Sequence, residues 1–93
     1  RVTQPFRIYS RVEAAMIDIE GQGLLLYLEQ IGVLNCEARE AVIDRVMALE
    51  SDDFDEEQLK WVVLMVLFNQ PGAESYYAWM EDFVYDGAPE SIH

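Results

Sequence analysis

Basic residues are scarce in this 93-residue sequence: six Lys and Arg stand against eighteen Asp and Glu, leaving a formal charge of -12 at pH 7. Area scaling for a chain of this mass gives roughly 5,500 Å² of folded surface, or about one net negative charge per 450 Å². Such a field repels phosphate, and nucleic acid or anionic lipid binding needs clustered Lys and Arg to supply counterion release. The basic residues are Arg1, Arg7, Arg11, Arg39, Arg45 and Lys60, with none between Val12 and Ala38 and none after Lys60. Direct contact with nucleic acid by this segment is therefore not expected.

Cysteine and histidine are rarer still. Cys36 is alone, which excludes an internal disulfide and the usual Cys/His zinc sites. The single histidine, His93, is the last residue, so no Ser-His or Cys-His nucleophile pair can be assembled and the Glu-x-x-His pairs of a di-iron bundle are absent. Gly21-Gln22-Gly23 lacks the lysine of a phosphate loop and the further glycine of a dinucleotide fingerprint. Nothing selects two carboxylates out of eighteen for acid-base work. The expectation is a non-enzymatic domain without cofactor or metal. The longest apolar run, Trp61 to Phe68, is about half of what a bilayer-spanning helix requires, and no leader pattern is present, which leads to an expectation of cytoplasmic location without membrane contact.

Apolar residues are plentiful, at 52%, which excludes a disordered tail. Residues 1–10 alternate loosely around Pro5 and read as an extended arm or the edge of a missing N-terminal region, since the chain starts at Arg1. Residues 11–86 read as a helical domain. Ser10 and Glu13 have capping-box spacing, and Val12, Ala15, Met16 and Ile19 mark a first apolar stripe that Gly21 and Gly23 are expected to end or kink. Leu24 to Ile31 forms a short second helix with Gly32 as its left-handed terminator. Asn35 caps a third, with Ala38, Val42, Val46 and Leu49 inward and Glu40 facing Asp44 as like charges.

The strongest helix start is Phe54 to Leu59, with Asp55 as N-cap, Gln58 reaching back, and Glu56 set to pair with Lys60. The fourth helix then runs apolar on every side from Trp61 to Phe68 and is expected to be surrounded. Pro71 and Gly72 end it. Tyr76, Trp79, Met80 and Phe83 repeat at helical spacing in a fifth helix, and residues 87–93 read as a disordered tail. The fold expectation is all-α: a compact bundle of about five helices around a central apolar helix, with a short extended N-terminal arm. Leu28, Val42, Val46, Trp61, Leu64, Met65, Phe68, Trp79 and Phe83 are the expected core.

Two features are candidate contact sites. Aromatics at helical spacing usually fill a core, the reading taken for Trp79 and Phe83, whereas Trp and Tyr are also enriched at interfaces, the reading taken for whichever of Tyr77 and Tyr85 is exposed. The acidic stretch containing Asp52, Asp53, Asp55 and Glu56 lacks the glycine and the ligand intervals of an EF-hand, so it reads as a solvated helix start and a possible partner contact rather than a metal site.

Three blocks carry a family resemblance: Leu24 to Asn35 (LLLYLEQIGVLN), Arg39 to Leu49 (REAVIDRVMAL), and Leu59 to Gly72 (LKWVVLMVLFNQPG). Together they resemble the C-terminal part of the bacterial Smg family, over roughly Phe6 to Tyr85. The third block is the most specific, because an apolar helix is followed there by Asn69-Gln70-Pro71-Gly72. Before Gly23 the match is looser: the family often places an arginine where this chain has Gly21 and Gln22. The resemblance implies a small bacterial cytoplasmic protein of unestablished biochemical role. It also implies an additional N-terminal region and a gene commonly beside that of the DNA-processing protein DprA. It supplies no catalytic or ligand residues. With the charge argument it leads to an expected protein-protein interaction module whose partner has a basic surface. The alternative is a folding or dimerisation platform for a nucleic-acid-binding N-terminal region.

Overall fold

A computed structural model describes residues 7–49 and 54–86, so residues 1–6 of the expected arm, Asp52, Asp53 and the expected tail at 87–93 lie outside the described residues. Five helices follow one another: α1 (Arg11–Met16), α2 (Ile19–Gln30), α3 (Cys36–Leu49), α4 (Glu56–Phe68) and α5 (Glu74–Asp86). The all-α expectation holds, with no strand among the described residues. Residues 7–10 enter as irregular chain ahead of α1.

The helix starts obey local chemistry. Ser10 and Glu13 make the reciprocal capping box of α1, and Asp55 and Gln58 make that of α4, each pair satisfying two otherwise orphaned N–H groups. The Asn35 carboxamide accepts the Ala38 N–H at 2.7 Å, opening α3. At the end of α2, Gly32 takes φ +89°, while the Val33 N–H reaches the Leu28 carbonyl at 2.9 Å and the Gly32 N–H reaches that of Glu29 at 3.2 Å. This is a Schellman closure, and it turns Val33 and Leu34 inward.

The break between α1 and α2 falls elsewhere than expected. Gly21 and Gly23 lie inside α2, and the chain turns at Ile17 and Asp18. Asp18 is the N-cap, its carboxylate accepting the Gly21 N–H at 2.9 Å, and the Gln22 side-chain amide donates to the Ile17 carbonyl at 2.9 Å. Side-chain oxygen and amide thus replace helical backbone bonds at this turn. Gly21 is required by packing: a Cβ there would lie 2.9 Å from Ile17 Cγ2 and 3.2 Å from Leu59 Cδ2. The first helix is consequently only six residues long, and Val12 and Ile19 of its expected apolar stripe face solvent.

The core is built from Leu24, Leu25 and Leu28 of α2, Val42, Ile43 and Val46 of α3, and Leu59, Val63, Leu64 and Leu67 of α4, closed by Met80 and Val84 of α5. α4 packs against α2, α3 and α5 and is the centre of the bundle. The described residues do not surround it on every side. Of the nine residues expected in the core, Leu28, Val42, Val46 and Leu64 are buried, Phe83 is half-buried, and Trp61, Met65, Phe68 and Trp79 are exposed. On α5 the inward stripe is Tyr77, Met80 and Val84, continued by Ala73 just before the helix, which leaves Tyr76 and Trp79 outside. Leu49, at the end of α3, is likewise exposed.

Candidate functional site

Helical geometry gathers the exposed residues of α4 into one line. Trp61, Met65 and Phe68 follow at i, i+4 and i+7, so they share the only face of α4 that no other described helix covers. Their exposures are 44%, 44% and 72%. α5 runs antiparallel along one side of this line: Tyr85 meets Trp61 edge-on with ring centroids 5.5 Å apart, and Tyr77 meets Phe68 at 5.6 Å. Tyr85 is 65% exposed, whereas Tyr77 is half-buried and belongs partly to the core. α3 borders the other side, where Arg45 places Nη1 3.4 Å from Met65 Sδ. The result is a face of two exposed aromatic rings from α4, a thioether and a tyrosine. These residue types concentrate binding energy at interfaces because they bury large area at low conformational cost.

The opposite flank of the α4–α5 pair holds a different arrangement. Lys60 is buried with its Nζ 4.7 Å from the centroid of Phe83 and 3.6 Å from a Glu57 carboxylate oxygen. The expected partner, Glu56, is exposed one position earlier and does not pair with it. Trp79 stacks on Phe83 at 5.3 Å. A desolvated ammonium held by a ring face and one carboxylate is a structural cation, satisfied within the fold.

A third arrangement ties the N-terminal segment to the bundle. Arg7 is bidentate to Glu13 of α1, at 2.8 and 3.2 Å, and to Glu40 of α3, at 2.6 and 3.0 Å. Arg39 then joins Glu40 to Glu29 of α2, the latter at 2.8 Å. The Arg7 guanidinium also lies 4.9 Å from the centre of the Tyr9 ring. Hydrogen bonds from Arg7 hold the Glu13 carboxyl down to about 2 and keep that of Glu40 below its usual range. Burial pushes the Tyr9 phenol up. Glu40 is thereby occupied by two cations, which overrides the repulsion from Asp44 that its spacing alone suggests. A recess of about 140 Å³ opens beside this network, lined by Arg7, Tyr9, Gln22, Glu29 and Arg39 among others. Both arginines are already neutralised by carboxylates there, so the recess has no spare charge for an anion.

The expected contact residues do not form one site. Tyr85 joins the exposed aromatic face and Tyr77 supports it from below. Asp55 spends its carboxylate on the Gln58 N–H as helix cap, and Glu56 is an exposed first-turn residue. Among the described residues no group of three metal-ligating side chains is placed to hold an ion. On this face the residues expected in the core but found exposed are Trp61, Met65 and Phe68, and the signal for them is their shared i, i+4, i+7 stripe. None of the described helices is long and apolar enough to cross a membrane.

Comparison with known proteins places the chain. All of it, residues 1–93, matches the family described as "Protein of unknown function (DUF494)". It is 54% identical over its whole length to the "Protein Smg homolog" of Stenotrophomonas maltophilia strain K279a and 53% identical to that of Xylella fastidiosa strain M23. Over 87 residues it is 56% identical to the "Protein Smg homolog" of Nitrosococcus oceani. The chain spans 59% of the length of the first two relatives and 55% of the third, so each of them is longer. No solved structure matches it. From the match along its full length and the identity above one half, the chain belongs to the Smg (DUF494) family.

Proposed function

We propose that this domain is a non-enzymatic interaction module that binds another polypeptide through the face formed by Trp61, Met65, Phe68 and Tyr85. The observation that carries the reading is the exposure of that line on the central helix of the bundle. Fully burying a Phe or Met side chain is worth roughly 1.5–3 kcal/mol, so covering this face supplies several kcal/mol toward association. A charge of -12 favours a partner with a basic surface, since complementary charge accelerates encounter and fixes orientation. A link to DNA processing or uptake through such a partner belongs to the same proposal and rests on the family resemblance alone. The test is affinity purification of the intact protein from its own bacterium, with and without nuclease. A polypeptide retained by the wild type after nuclease and lost from Phe68→Asp is the expected result. Identical sets of retained proteins from wild type and variant would remove this face from consideration.

A second reading is favoured by the greater length of the relatives. In it the domain is a folding or dimerisation platform for a nucleic-acid-binding N-terminal region. Salt-titrated oligonucleotide binding separates the two: binding by the longer protein but not by this chain supports the platform.

A further inference from the structure

The uncovered face of α4 has two borders of opposite charge. On the α5 border, Glu81 lies midway between Tyr77 and Tyr85 at four-residue spacing, placing a half-buried carboxylate residue along the aromatic edge. On the α3 border the group beside the line is a cation, the Arg45 guanidinium against Met65. The line from Trp61 to Phe68 is itself about 10 Å long, two helical turns. It runs between two flanking helices, and no sheet edge exists among the described residues to receive an extended peptide.

Resting on the interaction reading above, we infer that the occupant of this face is one amphipathic helix. Its apolar stripe lies along Trp61, Met65 and Phe68, and its basic side chains fall on the α5 border at Glu81. A stripe at i, i+4 and i+7 on one helix matches the anchor spacing of another. The Glu81 carboxylate on one border selects cations there, and Arg45 on the other excludes them, so the partner helix has one permitted orientation about its own axis. A second copy of this domain fits less well, because it brings a further charge of -12 to the contact.

The probes are three synthetic helical peptides of about 16 residues that share a leucine stripe at this spacing and differ only in one flank, made of Lys, Gln or Glu. Binding is read by calorimetry at low and at physiological ionic strength. The Lys-flanked peptide is expected to bind about ten-fold more tightly than the Gln-flanked one, with the Glu-flanked peptide weakest. Phe68→Ser should weaken all three. Glu81→Lys should remove the preference, and Glu81→Gln should reduce it, whereas reversal of an exposed carboxylate at the start of α3, Glu37→Lys, should leave it intact.

If all three peptides bind alike and Phe68→Ser weakens each, the face is a docking site but the basic-helix assignment is wrong. A preference that falls equally with Glu37→Lys comes from the diffuse field of the whole protein and also overturns it. Failure of every peptide to bind overturns both this inference and the reading beneath it. A dimer in sedimentation that Phe68→Ser dissolves assigns the face to a second copy. Loss of peptide binding in a full-length relative assigns it to the protein's own further residues. Either result refutes the proposed occupant.

Discussion

Two glycines two residues apart in one helix give opposite expectations when each is replaced by alanine. Both lie in α2, and in each case alanine gains about 0.8–1 kcal/mol of intrinsic helix preference. At Gly23 a new Cβ meets no atom within 4 Å, so that gain stands alone. At Gly21 the Cβ would sit 2.9 Å from Ile17 Cγ2 and 3.2 Å from Leu59 Cδ2. Neither neighbour can retreat easily. Ile17 is β-branched and stiff at χ1, and both side chains are fully buried. Forcing a methyl into such a core costs about 1–3 kcal/mol. The propensity gain is nearly common to the two sites, so the difference between the variants isolates the steric cost. Gly23→Ala should raise the stability by up to about 1 kcal/mol, and Gly21→Ala should fall below it by about 1–3 kcal/mol. In a domain of this size each kcal/mol moves the melting temperature by roughly 4–8 °C, well within reach of calorimetry, and urea titration provides a second estimate. Equal shifts for the two variants would mean that α2 does not approach Leu59 as closely as described and that the glycine at 21 has no packing role.

Leu64→Ala removes a buried side chain of α4 and should cost about 2–5 kcal/mol, while Phe68→Ser on the exposed face of the same helix should change the denaturation midpoint far less; parallel urea curves compare them. Asp55→Ala deletes the N-cap of α4 and should cost about 1 kcal/mol, read in the same titration. Arg7→Ala should cost about 1 kcal/mol at neutral pH, and its loss should be pH dependent. Because Glu13 and Glu40 have folded pKa values held below the unfolded value, the stability they contribute is present above about 4.5 and is lost as pH falls toward 2. The gap between wild type and Arg7→Ala should therefore close over that window in acid titrations of the unfolding midpoint, and a gap that stays constant to pH 2 would contradict the Arg7 network.

What could be read from the sequence was whatever local chemistry decides. The caps at Ser10, Asn35 and Asp55 need only a side-chain oxygen and the right spacing, and the left-handed turn at Gly32 needs only the absence of a Cβ; all four stand as expected. The α1–α2 break was misplaced because two glycines weigh heavily on a propensity scale, while Asp18 followed by Glu20 is an equally valid helix start with an acid in its first turn. Gly21 pays for itself through its contact with Leu59, a residue thirty-eight positions away that no local rule sees. On α5 two apolar stripes overlap, and the larger side chains of Tyr76 and Trp79 suggest the wrong one. Met80 and Val84, with Ala73 at the start of the same stripe, are what face α4.

The candidate surface exists for the same reason that its residues were assigned to the core. A helix apolar on every side carries no polar residue to mark its outer face, so its sequence states that it must be covered without stating by what. This chain covers α4 with α2, α3 and α5. The segment that remains, residues 7–16, is committed elsewhere: α1 packs on α3, and Arg7 is fastened to Glu13 and Glu40. With that segment tied to α3 by two guanidinium hydrogen bonds from Arg7 to Glu40, no described part of the chain is left to lie over Trp61, Met65 and Phe68. Among the described residues the demand for burial written into α4 is thus met on three sides, and the fourth is the face to which the proposed partner is assigned.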